Sequence, residues 1–171
     1  VILGLNINHP DTSAAILVDG QLKFAIAEER LTRVKNTSKF PINAIKCCLD
    51  FVGINLEDID DIAIAGKFNS NLLPKINYFF QNPYSSLSRY MSNFSRLKNN
   101  EINLINFVDY IKCNRSKIKF KVNYVEHHLA HVASSFFLSP YDKSSALSYD
   151  GSGDFCSALL AKCEGNKIKI F

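Results

Sequence analysis

The first third of the chain is organised by its turns. VILGLNIN (Val1–Asn8), SAAILVDG (Ser13–Gly20) and QLKFAIAEE (Gln21–Glu29) are short apolar or alternating runs with little sequence between them. Asp19-Gly20 joins the second to the third, and both residue types tolerate the positive φ that a two-residue hairpin turn requires. This spacing predicts three antiparallel strands. FPINAIKCCLDFVG (Phe40–Gly53) then repeats apolar residues at helical period through Ile42, Ile45, Leu49 and Val52. Pro41 suits its first turn and Gly53 the position after its last. DIDDIAIAG (Asp58–Gly66) closes the series as a short strand, giving β-β-β-α-β.

A second copy of the opening pattern starts at Ser144. SSALSYDGSGD (Ser144–Asp154) reads as a strand running into a turn, and FCSALLAKCEG and KIKIF read as two more strands around Gly165-Asn166. The sequence stops at Phe171 within the third of these, which reads as part of a larger protein. Between the two copies, Phe68 to Lys117 is helical and irregular. It carries one apolar stripe at Leu72, Leu73, Ile76, Phe79 and Phe80 and another at Ile102, Ile105, Val108 and Ile111. FKVNYVE (Phe120–Glu126) reads as a strand, and HHLAHVASSFFL (His127–Leu138) as a helix stopped by Ser139-Pro140.

Charge follows the same division. Residues 67–121 carry 10 basic and 2 acidic side chains, whereas the flanks have net charges of −3 and −1. The expected organisation is an α/β lobe from residues 1–66 and 118–143, a basic helical insertion at 67–117, and the start of a second lobe at 144–171.

With 47% hydrophobic residues in 171, intrinsic disorder is excluded, and the chain can bury a core without disulfide or metal support. No run of 18 apolar residues is present, so no membrane span is expected. Five cysteines without a C-x-x-C pair read as reduced thiols of a cytoplasmic protein.

His127 and His131 are four residues apart, on one face of a helix, so both imidazoles can reach one ion. The spacing resembles H-E-x-x-H, but His128 stands where the general base of a zinc protease would be, which excludes that chemistry. Asp150 lies at the end of an apolar strand beside a Gly-rich turn. Two imidazoles and one carboxylate suit a divalent transition metal such as Fe(II) or Zn(II). In Asp150-Gly151-Ser152-Gly153-Asp154 the glycines let backbone N–H groups approach a phosphate. His9, in the polar loop after the first strand, is a candidate acid-base group or anion donor. Glu28 to Lys35 is a dense mixed-charge run of the kind usually solvated, with cations able to meet phosphate.

Taken together, His9…Ser13-Ala14-Ala15, Asp19-Gly20, Glu28-Glu29-Arg30…Thr32-Arg33…Lys35, Phe40-Pro41, HHLAHVASSFFLSP and YDGSGD resemble the N-terminal region of the O-carbamoyltransferases of nodulation-factor and antibiotic biosynthesis. The resemblance covers both flanks, and the basic middle adds little. It implies a ribonuclease H-like lobe of the acetate kinase–sugar kinase–Hsp70–actin type, in agreement with the recurring strand pattern. It implies that His127, His131 and Asp150 bind a metal, Fe(II) first and Zn(II) or Mg(II) as alternatives, with a further acidic ligand beyond Phe171. It places His9 and Lys35 at the carbamoyl-transfer site, although the family commonly has His where Asn36 follows that lysine. Ser13, Gly151, Ser152, Gly153 and Asp154 are the expected nucleotide and phosphate contacts.

The implied reaction moves a carbamoyl group to a hydroxyl of a small metabolite from carbamoyl-adenylate, which a further domain of the same chain makes from carbamoyl phosphate and ATP. Residues 1–171 alone are then expected to be inactive, because one wall of a two-lobe cleft is missing. Two other readings are a relative acting on tRNA and a non-catalytic actin-like module. The spread of Lys and Arg and the lack of a stacking-platform motif argue against nucleic acid. The intact His127, His131 and Asp150 argue against the non-catalytic module.

Overall fold

The computed structural model describes residues 1–7, 9–67, 70–110 and 115–171. Two compact units emerge, one formed by Val1–Ile64 with Tyr90–Asn123 and the other by Ala65–Arg89 with Tyr124–Phe171.

In the first unit, β1 (Ile2–Asn6), β2 (Ser13–Val18) and β3 (Gln21–Ala27) form the expected antiparallel meander. Asp19 and Gly20 take φ of 51° and 75°, which closes the β2–β3 hairpin. A short helix α1 (Glu28–Thr32) follows, then α2 (Ile42–Val52), which Gly53 ends in the left-handed region at φ 69°. β4 (Asp61–Ala65) lies parallel to β1, with Ile2 opposite Asp61. β5 (Lys121–Val125) completes a five-stranded mixed sheet in the order β3-β2-β1-β4-β5. A meander of three antiparallel strands extended on the β1 side by further strands is the topology of a ribonuclease H-like lobe.

The alternation of apolar residues places Leu3, Leu5, Ala14, Ile16, Ile62 and Ile64 on a buried face, where Ala44, Ile45, Cys48 and Leu49 of α2 are also buried. The middle of the chain forms two helices, α3 (Leu72–Gln81) and α4 (Pro83–Tyr110). Near the end of α4 the buried residues are Leu104, Phe107 and Val108, while Ile102 and Ile105 are exposed. The expected stripe is therefore displaced: Val108 belongs to both faces, and Ile111 lies outside the described residues. On α3 the expected stripe exists but is exposed, with Leu73 at 81% and Phe80 at 78%.

The second unit contains α5 (His127–Phe136) and a second antiparallel meander of β6 (Lys143–Gly153), β7 (Cys156–Glu164) and β8 (Lys167–Ile170). Its core joins Val132 and Phe136 of α5 to Leu159, Ala161 and Cys163 of β7, with Ala146 and Ile168 packed against them. Among the described residues, no helix is long and apolar enough to cross a membrane.

Candidate metal centre

The position of α5 follows from its sequence. His128, Val132 and Phe136 recur at i, i+4 and i+8 and are its buried residues. His127 and His131 form the adjacent stripe at the edge of that face, with side chains 22% and 54% exposed. The first turn is held by two carboxylates. Glu126, the N-cap, accepts from the Leu129 N–H at 2.7 Å, and Asp154 Oδ2 accepts from the His127 N–H at 2.8 Å. Asp154 Oδ2 also accepts from the Lys67 N–H at 2.7 Å, and its carbonyl accepts from Asn71 Nδ2 at 3.0 Å. That carboxylate, expected as a phosphate contact, is thus engaged with this unit's own backbone.

Asp150 meets the histidines where β6 leaves its ladder. The β6–β7 register runs regularly to Tyr149 opposite Ala158 and resumes at Gly153 opposite Cys156, so Asp150–Ser152 stand outside it. Asp150 Oδ2 lies 2.9 Å from His127 Nε2 and 3.8 Å from His131 Nε2, and the two histidine nitrogens are 3.1 Å apart. All three ligand atoms fall within 4.8 Å of one another. A divalent ion bound at about 2.0–2.2 Å sets neighbouring ligand atoms about 3–3.5 Å apart; the 2.9 and 3.1 Å separations match that spacing, and the 3.8 Å between Asp150 and His131 is a few tenths of an ångström longer.

The electrostatics favour the ligating forms. The hydrogen bond from His127, followed by that from the Gly151 N–H, holds the Asp150 carboxyl below the usual carboxylate range. Desolvation, and then the neighbouring His127, lowers the His131 pKa and so favours its neutral ring. Gly153, anticipated as a phosphate contact, backs directly onto the His127 ring. Gly151 and Ser152 lie in the stretch outside the ladder.

His9, Ser13 and Lys35 belong to the first unit. Ser13 begins β2, paired with Asn6 on one side and Ala27 on the other. His9 is exposed, and its Nδ1 donates to the Pro10 carbonyl at 2.6 Å. A carbonyl only accepts, so the ring proton sits on Nδ1 and a neutral ring leaves Nε2 unprotonated. Lys35 is exposed in the loop after α1. The loops of His9 and Lys35 are joined by Thr12, whose N–H donates to the Thr37 carbonyl at 3.2 Å and whose hydroxyl donates to it at 3.4 Å. Thr12 is fully buried and Thr37 nearly so. Neither was singled out from the sequence, because the bond spans 25 residues and has no local pattern.

Glu28 was also missed. Within the mixed-charge run it is 4% exposed, and it accepts at 2.8 Å from the Ala44 N–H, at 3.3 Å from the Asn43 N–H and at 2.7 Å from Asn43 Nδ2. It caps α2, whose own N-cap, Pro41, has no side-chain donor or acceptor to offer.

Comparison with known proteins places this chain in a family. Nodulation protein NolNO of Sinorhizobium fredii is 32% identical over 93% of this chain and 22% of its own length. Uncharacterized protein sll1178 of Synechocystis is 29% identical over 98% of this chain and 28% of its own. The chain thus spans about a fifth to a little over a quarter of the length of these relatives. Among solved structures, YeaZ from Pseudomonas aeruginosa is similar at 13% identity with a TM-score of 0.46, over 99% of this chain and 63% of that one. The family described as "Carbamoyltransferase N-terminus" matches residues 1–171. With that match running from Val1 to Phe171, the chain belongs to the carbamoyltransferase family and represents its N-terminal region.

Proposed function

We propose that this protein transfers a carbamoyl group from carbamoyl-adenylate to a hydroxyl of a small metabolite, and that His127, His131 and Asp150 hold a divalent metal for that reaction. The observation that carries the reading is the convergence of three ligand atoms within 4.8 Å on a chain of the carbamoyltransferase family. Two imidazoles and one carboxylate favour Fe(II), or Zn(II), over Mg(II), which prefers oxygen donors. When bound, such an ion supplies positive charge to a phosphate or carbonyl oxygen.

The chain's own groups supply the remaining chemistry. His9, with Nδ1 committed to the Pro10 carbonyl, offers Nε2 to take the proton of the acceptor hydroxyl. The hydroxyl oxygen bonds to the carbamoyl carbon, the bond from that carbon to the adenylate phosphate oxygen breaks, and AMP leaves. Lys35, on the loop tied to that of His9 through Thr12 and Thr37, supplies a cation for the phosphate. Within the second unit, Gly151 and Ser152 offer backbone outside the β6–β7 ladder that a phosphate could meet. Carbamoyl phosphate and ATP are the sources of the adenylate, made by the remainder of a longer chain.

The test supplies full-length protein with radiolabelled carbamoyl phosphate, ATP and a panel of hydroxylated metabolites. Carbamate esters should form, and His9→Ala should lower turnover while metal content is unchanged. Loss of metal in His9→Ala would contradict the role given to His9, and no ATP-dependent transfer to any alcohol would contradict the reaction.

A further inference from the structure

His128 lies between two candidate ligands in sequence, yet it points the other way. Its side chain is fully buried. Nδ1 is 2.9 Å from Ser148 Oγ of β6, and Nε2 is 3.0 Å from the Cys156 carbonyl of β7. The carbonyl only accepts, so Nε2 carries the ring proton, and Nδ1 accepts from the Ser148 hydroxyl. The ring therefore satisfies both its nitrogens, as a buried imidazole must.

The two partners bracket one segment. Ser148 is just before, and Cys156 just after, the stretch Tyr149–Phe155, which contains Asp150 and Asp154. In this stretch the β6–β7 register is interrupted, so ladder hydrogen bonds do not fix where Asp150 sits. Asp154 and Phe155 take φ of 50° and 70°, an unusual backbone that needs outside support. His128 holds both ends of the stretch from the helix that also carries His127 and His131.

We infer that His128 is a positioning residue: it sets Asp150 at its distance from His127 and His131 by fastening Ser148 and Cys156 to α5. This rests on the metal reading above only for its consequence. The fastening itself concerns this chain's own residues.

The experiment uses Co(II) as probe and full-length protein. His128→Leu, which removes both bonds, should weaken Co(II) binding about 10- to 100-fold and alter the visible absorption of the bound ion. His128→Gln, which keeps a donor toward Cys156, and Ser148→Ala, which removes one bond, should fall between wild type and His128→Leu. Leu159→Ala, a core truncation in the same unit, should lower stability without changing that absorption. In metal-free protein, amide exchange at Tyr149–Phe155 should rise in His128→Leu while the α5 amides stay protected. Wild-type Co(II) affinity and spectrum in His128→Leu would overturn the inference. If wild-type protein takes up no Co(II), the metal reading fails, and exchange decides: a rise confined to Tyr149–Phe155 upholds the fastening, and unchanged exchange overturns it. Should His128→Leu not fold, the same readings on His128→Gln and Ser148→Ala decide.

Discussion

Gly153 touches the ring of His127. A β-carbon at position 153 would stand 1.9 Å from His127 Cδ2 and 2.3 Å from Cγ. The ring cannot yield freely, because its Nε2 meets Asp150 and His131 and its backbone N–H is held by Asp154. Gly153→Ala should therefore push His127 out of the cluster. Metal affinity is expected to fall at least about tenfold, the scale seen when a ligand loses its supporting contacts. Titration of metal-free protein with Co(II) or Zn(II) checks this, and unchanged affinity would show that the ring has another place to go.

Glu28 closes the N-terminus of α2 from a neighbouring element. Glu28→Ala leaves the Asn43 and Ala44 amides without their acceptor, and that of Ala44 is buried. Hydrogen bonds to a charged group contribute about 1.5–3 kcal/mol each way of counting, so a loss of about 2–3 kcal/mol is expected. Glu28→Gln, which keeps an acceptor oxygen, should lose less. Amide exchange at Asn43 and Ala44 reads the effect locally, and full retention of their protection in Glu28→Ala would contradict the capping role.

Cys48 gives the first unit a pH dependence on the alkaline side. Burial, and then the neighbouring Cys47, pushes its thiol from 9.0 up to about 11. In the unfolded chain the thiol ionises first, so the stability linked to Cys48 is fully present below about pH 8.5–9 and is lost as pH rises toward 11. Unfolding curves should show this decline, and Cys48→Ala should flatten it. Alkylation of native protein at pH 8 should leave Cys48 unmodified, and rapid labelling there would contradict its burial.

The strands and α5 were legible because their signals are local. Asp19-Gly20 specifies a hairpin by backbone preference, and the i, i+4 spacing of His127 and His131 puts both rings on one face whatever surrounds them. Asp150 was legible as an acid at a strand end. What remained hidden depends on partners distant in sequence. Period shows that α3 has an apolar face, but not that Leu73 and Phe80 stay exposed. Composition makes Glu28 part of a solvated run, whereas α2, 15 residues on, draws its carboxylate inside. The apolar stripe of His128, Val132 and Phe136 did carry a signal for a buried histidine. The contacts of Gly153 with the His127 ring and of Asp154 with the His127 N–H were hidden because their partner lies 26 and 27 residues earlier in sequence.

The proposed function rests on one metal ion shared by His127, His131 and Asp150. Its most direct test is the metal content per chain of full-length protein purified without oxygen, compared with His131→Ala and Asp150→Asn. Wild type should hold about one equivalent of Fe(II) or Zn(II), and both variants should lose most of it while the fold is kept, because removing one protein ligand leaves too few donors to retain the ion. Wild-type metal content in both variants would contradict it.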